Sequence, residues 1–271
     1  MKLEFHGVRG SFPAPEPDRA RFGGHTTCAS LRTGADRYIV IDAGTGLRGL
    51  GERIIRGSGN GEIRVDLLLT HFHLDHIIGF PFFAPLFSPR TVLVVHAAGD
   101  PGKTRQALAG LMAGRYFPIS LGKTAARTEF REFAPGAIDG VRVSSCPLFH
   151  PQGSVAYRLE AEGWSLVHAT DTEHPATGVD RRLAALAEGA DWLVYDAMYT
   201  PEEYAAGKKG WGHSTWLAGA GLAASARAKT LVLSHFDPGH TDADIEHILK
   251  EARERFPRTI AAAQGLELGK D

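Results

Sequence analysis

The stretch Thr70–Gly79 reads THFHLDHIIG and places His71, His73, Asp75 and His76 at the spacing H-x-H-x-D-H. Imidazoles and a carboxylate packed this closely each need a partner once removed from water. A metal supplies that partner to all of them. The apolar run Val65–Leu69 in front reads as a buried strand, and Ile77–Gly79 behind can pack as a short helix. Strands of α/β sheets present their sites at such ends. On an extended segment His71 and His73 point the same way. A turn after them carries Asp75 and His76 to a second position, so one loop can feed two adjacent metals.

This run resembles the signature of the metallo-β-lactamase-fold hydrolases. The form with Leu before the Asp is also similar to the class II cyclic-nucleotide phosphodiesterases. The resemblance implies three later ligands, a His, an Asp and a His, each at a strand end. His150, Asp171 and His235 stand at such places, after the strand-like runs Val141–Cys146, Ser165–Thr170 and Leu231–Ser234. It further implies one metal on His71, His73 and His150, a second on Asp75, His76 and His235, and Asp171 with a hydroxide between them. Asp75 then counts among the catalytic residues as well as the ligands. Three imidazoles suit zinc, and the mixed nitrogen and oxygen donors also admit manganese or iron. Two such ions lower the pKa of a bridging water and stabilise charge on the group attacked.

The segment Gly212-His213-Ser214-Thr215 narrows the chemistry. Ser214 is an apt N-cap for a helix over Thr215–Ala228, whose free N–H groups can hold an anion, with Ser214 and Thr215 as substrate contacts. His213 beside it can protonate a departing alkoxide. Asp196, ending the strand Trp192–Asp196, can orient that imidazole. The pattern is similar to ribonuclease Z and its phosphodiesterase relatives, with Asp196 where ribonuclease Z usually has Glu. The resemblance implies cleavage of cyclic nucleotides or other small phosphodiesters. The alternatives are a lactone or thioester hydrolase, a tRNA 3′-end endonuclease and, more remotely, a di-iron redox protein. The basic stretch Lys103–Arg131 lacks the Gly/Pro-rich arm with which ribonuclease Z grips tRNA, so nucleic acid is not the favoured partner.

Smaller features surround this set. Arg9 stands at a strand–loop break where it either serves as a structural loop arginine or reaches a substrate anion. Asp42, before Gly44-Thr45-Gly46, either holds a ligand imidazole or simply forms a turn. Phe80–Ser88 (FPFFAPLFS) cannot be a regular helix; it either walls a pocket or plugs the core. His25 and His96 lack partners at ligand spacing, while His168, His174, His240 and His247 are near ligands in sequence only and are expected to support them or lie at the surface.

The elements that must position these groups follow from pattern and composition. Within 271 residues, 43% are hydrophobic and 23% charged, which is ordinary for a globular chain with a sizeable core. A net charge of −1 announces neither nucleic acid nor an acidic membrane. No run approaches a membrane span. Cys28 and Cys146 make no disulfide framework, and a cytoplasmic address follows. The expected fold is α/β: an αββα sandwich of two mixed β-sheets with helices on both outer faces. It forms one domain over residues 1–271, with a basic rim insertion at 101–131, and a homodimer is compatible with it. A closing helix over Thr241–Phe256 carries Ile245, Ile248, Leu249, Ala252 and Phe256 on one apolar face, capped by Thr241 and Asp244.

Overall fold

A computed structural model describes residues 2–161 and 163–269. The first half of the chain runs β1 (Lys2–Gly7), β2 (Cys28–Gly34), β3 (Arg37–Ile41), α1 (Gly46–Gly57), β4 (Ile63–Leu68), α2 (Leu74–Ile77), β5 (Thr91–Ala97), α3 (Pro101–Leu111) and β6 (Arg127–Glu132). The second runs β7 (Gly136–Ile138), β8 (Val141–Leu148), β9 (Ser154–Ala161), β10 (Trp164–Ala169), α4 (Arg181–Leu186), β11 (Trp192–Asp196), α5 (Pro201–Ala205), α6 (Trp216–Ser225), β12 (Thr230–Ser234), α7 (Asp242–Arg255), β13 (Thr259–Ala261) and β14 (Glu267–Gly269).

The strands form two seven-stranded sheets, ordered β14-β1-β2-β3-β4-β5-β6 and β13-β12-β11-β10-β9-β8-β7. Each sheet is antiparallel on one side and parallel on the other: β3 to β6 run parallel in the first, β10 to β13 in the second. Alternation along the strands decides which layer each side chain joins. In β3, Ile39 and Ile41 share one core with Val141, Tyr157 and Leu166 of the other sheet. Tyr38 and Val40 instead pack with Leu47, Leu50 and Ile54 of α1. Each such aliphatic side chain contributes about 1.5–3 kcal/mol by leaving water. The result is an αββα sandwich, with α1 on one outer face and α6 and α7 packed beside β11, β12 and β13 on the other.

Several local expectations need revision. The helix of the metal loop is α2, Leu74–Ile77, not Ile77–Gly79; it begins at once because His73, in an extended conformation, serves as its N-cap. Asp75 and His76 therefore lie on a helical turn. Residues 101–131 are no simple insertion: α3 is the crossover that carries the chain from β5 to its parallel neighbour β6. In Phe80–Ser88 the core reading holds for three side chains. Phe80, Phe83 and Leu86 are core, while Phe82 and Phe87 are exposed on two short 3-10 turns. The closing helix is present with its capping box between Thr241 and Asp244. Beyond it, β13 and β14 add a further strand to each sheet; three-residue strands carry too little alternation to be read from sequence. Cys28 is buried and Cys146 half-buried, both as free thiols. No helix among the described residues is long and apolar enough to cross a membrane.

Candidate active site

The ends of β3, β4, β8, β10, β11 and β12 meet at one edge of the sandwich, and the loops leaving them bring seven donor side chains together. His71, His73 and His150 form one group; Asp75, His76, Asp171 and His235 form another. Asp171 faces both. Its Oδ1 lies 3.7 Å from His71 Nε2 and 3.9 Å from His150 Nε2, and its Oδ2 lies 3.1 Å from His76 Nε2 and 3.2 Å from His235 Nε2. Asp75 Oδ2 closes the second group at 3.4 Å from His76 Nε2 and 3.5 Å from His235 Nε2.

Local backbone explains this convergence. Asp42 and His235, which directly follow β3 and β12, and Asp171, two residues after the end of β10, each adopt a left-handed conformation with φ near 60°. For non-glycine residues that costs of order 1–3 kcal/mol and persists where surrounding structure enforces it. Gly10 is required for a different reason. A Cβ there would lie 2.4 Å from the His235 ring.

Hydrogen bonds fix the imidazoles from outside. His76 Nδ1 donates to Asp42 Oδ2 at 2.8 Å, His150 Nδ1 to the Gly212 carbonyl at 2.7 Å, and His73 Nε2 to Gln152 Oε1 at 2.8 Å. His71 Nδ1 meets Thr70 Oγ1 at 3.0 Å. Asp42 also accepts the Thr70 N–H at 2.8 Å, so of its two readings the structure selects the one that holds an imidazole. An imidazole that donates outward turns a bare lone pair inward. His73 Nδ1 and His150 Nε2 then face each other at 3.0 Å, and His235 Nε2 sits 3.3 Å from His76 Nε2. His71 Nε2 and His235 Nδ1 are buried with no hydrogen-bond partner. Burial lowers His71 to about 2, and burial likewise lowers His150, so both are neutral donors. Burial works against charge on His76 as well, yet Asp171, Asp75 and Asp42 outweigh it and raise that group. Inward lone pairs and clustered carboxylates that draw positive charge fit divalent cations.

His213 borders both groups. Its Nδ1 lies 3.0 Å from Asp196 Oδ2 and 3.9 Å from Asp171 Oδ1. Burial opposes its charged form, but the Asp196 carboxylate, with Asp171 and Asp75, raises it to about 9. Asp196 is wholly buried and also accepts the backbone N–H groups of Asp171 and Ser214. One carboxylate thereby ties His213 to the loop that carries Asp171.

The three candidate substrate contacts, Arg9, Ser214 and Thr215, are all buried in the fold. Arg9 is 0% exposed, and its guanidinium donates to the carbonyls of Gly23, Asp237 and His240. It clamps the loop after His235 and cannot reach a substrate. Arg9→Met should therefore destabilise the fold by roughly 3 kcal/mol, the scale of buried charged hydrogen bonds, in a denaturant titration; a substrate contact would raise KM and leave stability unchanged. Ser214 is not the helix cap: its Oγ is buried against His174 Nδ1 and Tyr195 Oη. Thr215 caps α6 by accepting the Ala218 N–H, and is itself buried. The helix spans Trp216–Ser225, shorter than Thr215–Ala228, because Arg227 turns left-handed at φ 52°.

Some contributors carried no legible signal. Ser11 donates its backbone N–H to Asp75 Oδ2 at 2.7 Å, which any residue type could do. Glu173 accepts from Tyr204 Oη, Gly210 N and Gly212 N, and so fixes the loop that leads into His213. Its place two residues after Asp171 was the only hint.

Known proteins resemble the chain in sequence and in fold. Ribonuclease Z of Bradyrhizobium sp. (strain ORS 278) is 29% identical over 322 aligned positions, covering 97% of each chain. Zinc-bound PqqB of Methylobacterium extorquens superposes with a TM-score of 0.72 at 17% identity, covering 100% of each chain. The metallo-β-lactamase fold protein YhfI of Bacillus subtilis gives 0.71 at 19% identity and covers 98% of each. Residues 37–236 match the family described as the beta-lactamase superfamily domain, so this chain belongs to that superfamily and is a hydrolase of the metallo-β-lactamase fold.

Proposed function

We propose that the protein is a dinuclear metal-dependent phosphodiesterase acting on small diesters such as cyclic nucleotides. The observation that carries this reading is the His213–Asp196 pair beside the seven-donor cluster, at 3.0 Å. In it, His71, His73 and His150 would hold one divalent ion, Asp75, His76 and His235 the other, and Asp171 would serve both. Zinc suits the donor set best, with manganese and iron as competitors. When bound, such a pair supplies Lewis acidity, acidifying a water and taking up negative charge at phosphorus.

The remaining work falls to the chain. Asp196 accepts from His213 Nδ1, so the proton available for transfer sits on Nε2. That proton goes to the ester oxygen as its bond to phosphorus breaks. Asp42 holds His76, and the Ser11 N–H holds Asp75, against rotation away from the centre.

The similarity to ribonuclease Z supports a phosphodiester substrate and raises RNA processing as a second reading. Support for a small substrate comes from length. The alignment runs over 322 positions against 271 residues here, so the relative carries stretches with no counterpart in this chain.

The test is an assay of the zinc-loaded protein on bis(p-nitrophenyl) phosphate, a lactone panel and precursor tRNA. Diester turnover that a chelator abolishes and zinc or manganese restores is the expected result. Lactone turnover without diester cleavage defeats the proposal, and specific tRNA cleavage selects the second reading.

A further inference from the structure

A cavity of about 790 Å³ opens directly beside His150. Its walls come from three separate segments: Phe149 to Pro151 after β8, Glu173 to Ala176 after β10, and Tyr204 to Gly210 at α5. Glu173 joins them. Its carboxylate accepts from Tyr204 Oη at 2.6 Å and from Gly210 N at 2.7 Å, while its own N–H donates to the Phe149 carbonyl at 2.6 Å. The cavity is thus held open by bonds within the fold.

Its lining is aromatic and apolar. The His174 and Tyr204 rings pack with centroids 4.4 Å apart, Pro151 and Pro175 add flat apolar surface, and Phe149 is 51% exposed. A half-exposed phenylalanine beside a catalytic cluster is apolar surface awaiting a partner. The charge around it is mixed, since Glu173 lines it and Arg182 pairs with Asp180 at 3.7 Å. The Glu173 carboxylate is engaged by three donors. The Arg182 guanidinium lies 4.9 Å from the Phe149 ring centre, and Lys209 stands at the rim.

We infer that this cavity binds one arm of the substrate, and that the arm is a flat aromatic group such as an aryl or nucleobase moiety. The inference rests on the phosphodiesterase reading for the position of the phosphate. His150, whose Nδ1 donates to the Gly212 carbonyl and whose ring lies 5.3 Å from that of His213, joins the cavity to the cluster. Phe149, Tyr204 and Pro175 then set specificity, and the metal cluster sets the reaction.

Isothermal titration of phenylphosphonate and methylphosphonate into the zinc-loaded protein tests this by binding alone. Phenylphosphonate should bind about tenfold or more tightly, as burial of one ring predicts. Phe149→Ala should remove most of that preference, and Ala176→Trp, which fills the cavity from an exposed position, should do the same. Melting temperatures near that of the parent protein establish that both variants fold. The inference fails if the parent shows no phenyl preference, or if both folded variants retain it. A preference that disappears in the variants of a protein with no diesterase activity would keep the aromatic site and refute the phosphodiesterase reading. Diester turnover with no phenyl preference would do the reverse.

Discussion

Asp171→Asn should strip the protein of metal and reduce diester turnover by on the order of 10³-fold or more, the scale of several kcal/mol of lost charge stabilisation. Asn keeps the size of the side chain and tolerates the left-handed backbone at φ 60°. The substitution therefore isolates charge from shape. Asp171 is the residue whose two oxygens face different donor groups, Oδ1 toward His71 and His150, Oδ2 toward His76 and His235. Removing its charge weakens both positions together. A change at His73, by contrast, touches only one. Metal content by mass spectrometry, read beside the rate and a thermal melt, checks this. Two full equivalents of metal with unchanged turnover would show that Asp171 is not the shared carboxylate.

The site was legible where chemistry leaves a local trace. His71, His73, Asp75 and His76 are neighbours in sequence, and their spacing alone declares a shared ligand. Asp171 and His235 each follow a strand whose apolar run is plain, His150 follows the mixed strand β8, and the structure brings all three to that cluster. The fold was legible for the same reason, since fully buried strands such as β5 and β12 are continuous apolar runs. What was lost lies in backbone direction. Arg9 occupies a loop beside the site, but only coordinates reveal that its guanidinium points at three carbonyls instead of outward. Ser214 and Thr215 are both good caps by residue type. Which one caps depends on where the backbone leaves the extended region, and that is set by Asp196 accepting the Ser214 N–H. Glu173 and Ser11 act through bonds to or from the main chain, for which sequence offers no spacing rule.

His213→Ala should keep both metals and lose about 10²–10⁴ of the diesterase rate, the usual worth of a general acid. The loss should fall on kcat, because the proton is needed as the ester bond breaks and not for binding. The pH profile separates this from mere structural damage. An acid works only while protonated, and Asp196 raises His213, so the parent protein should hold its rate through neutral pH and lose it as pH rises through that group. In His213→Ala the alkaline limb should disappear, leaving a low, flatter profile. Asp196→Asn keeps His213 but removes the charge that raises it, so the limb should move to lower pH. The leaving group supplies an independent check. p-Nitrophenolate departs with little need of a proton, whereas an alkyl alkoxide needs one badly. The penalty of His213→Ala should therefore be much larger for an alkyl leaving group than for p-nitrophenol. Equal penalties for both leaving groups, or loss of metal in the variant, would reassign His213 from proton donor to ligand or scaffold.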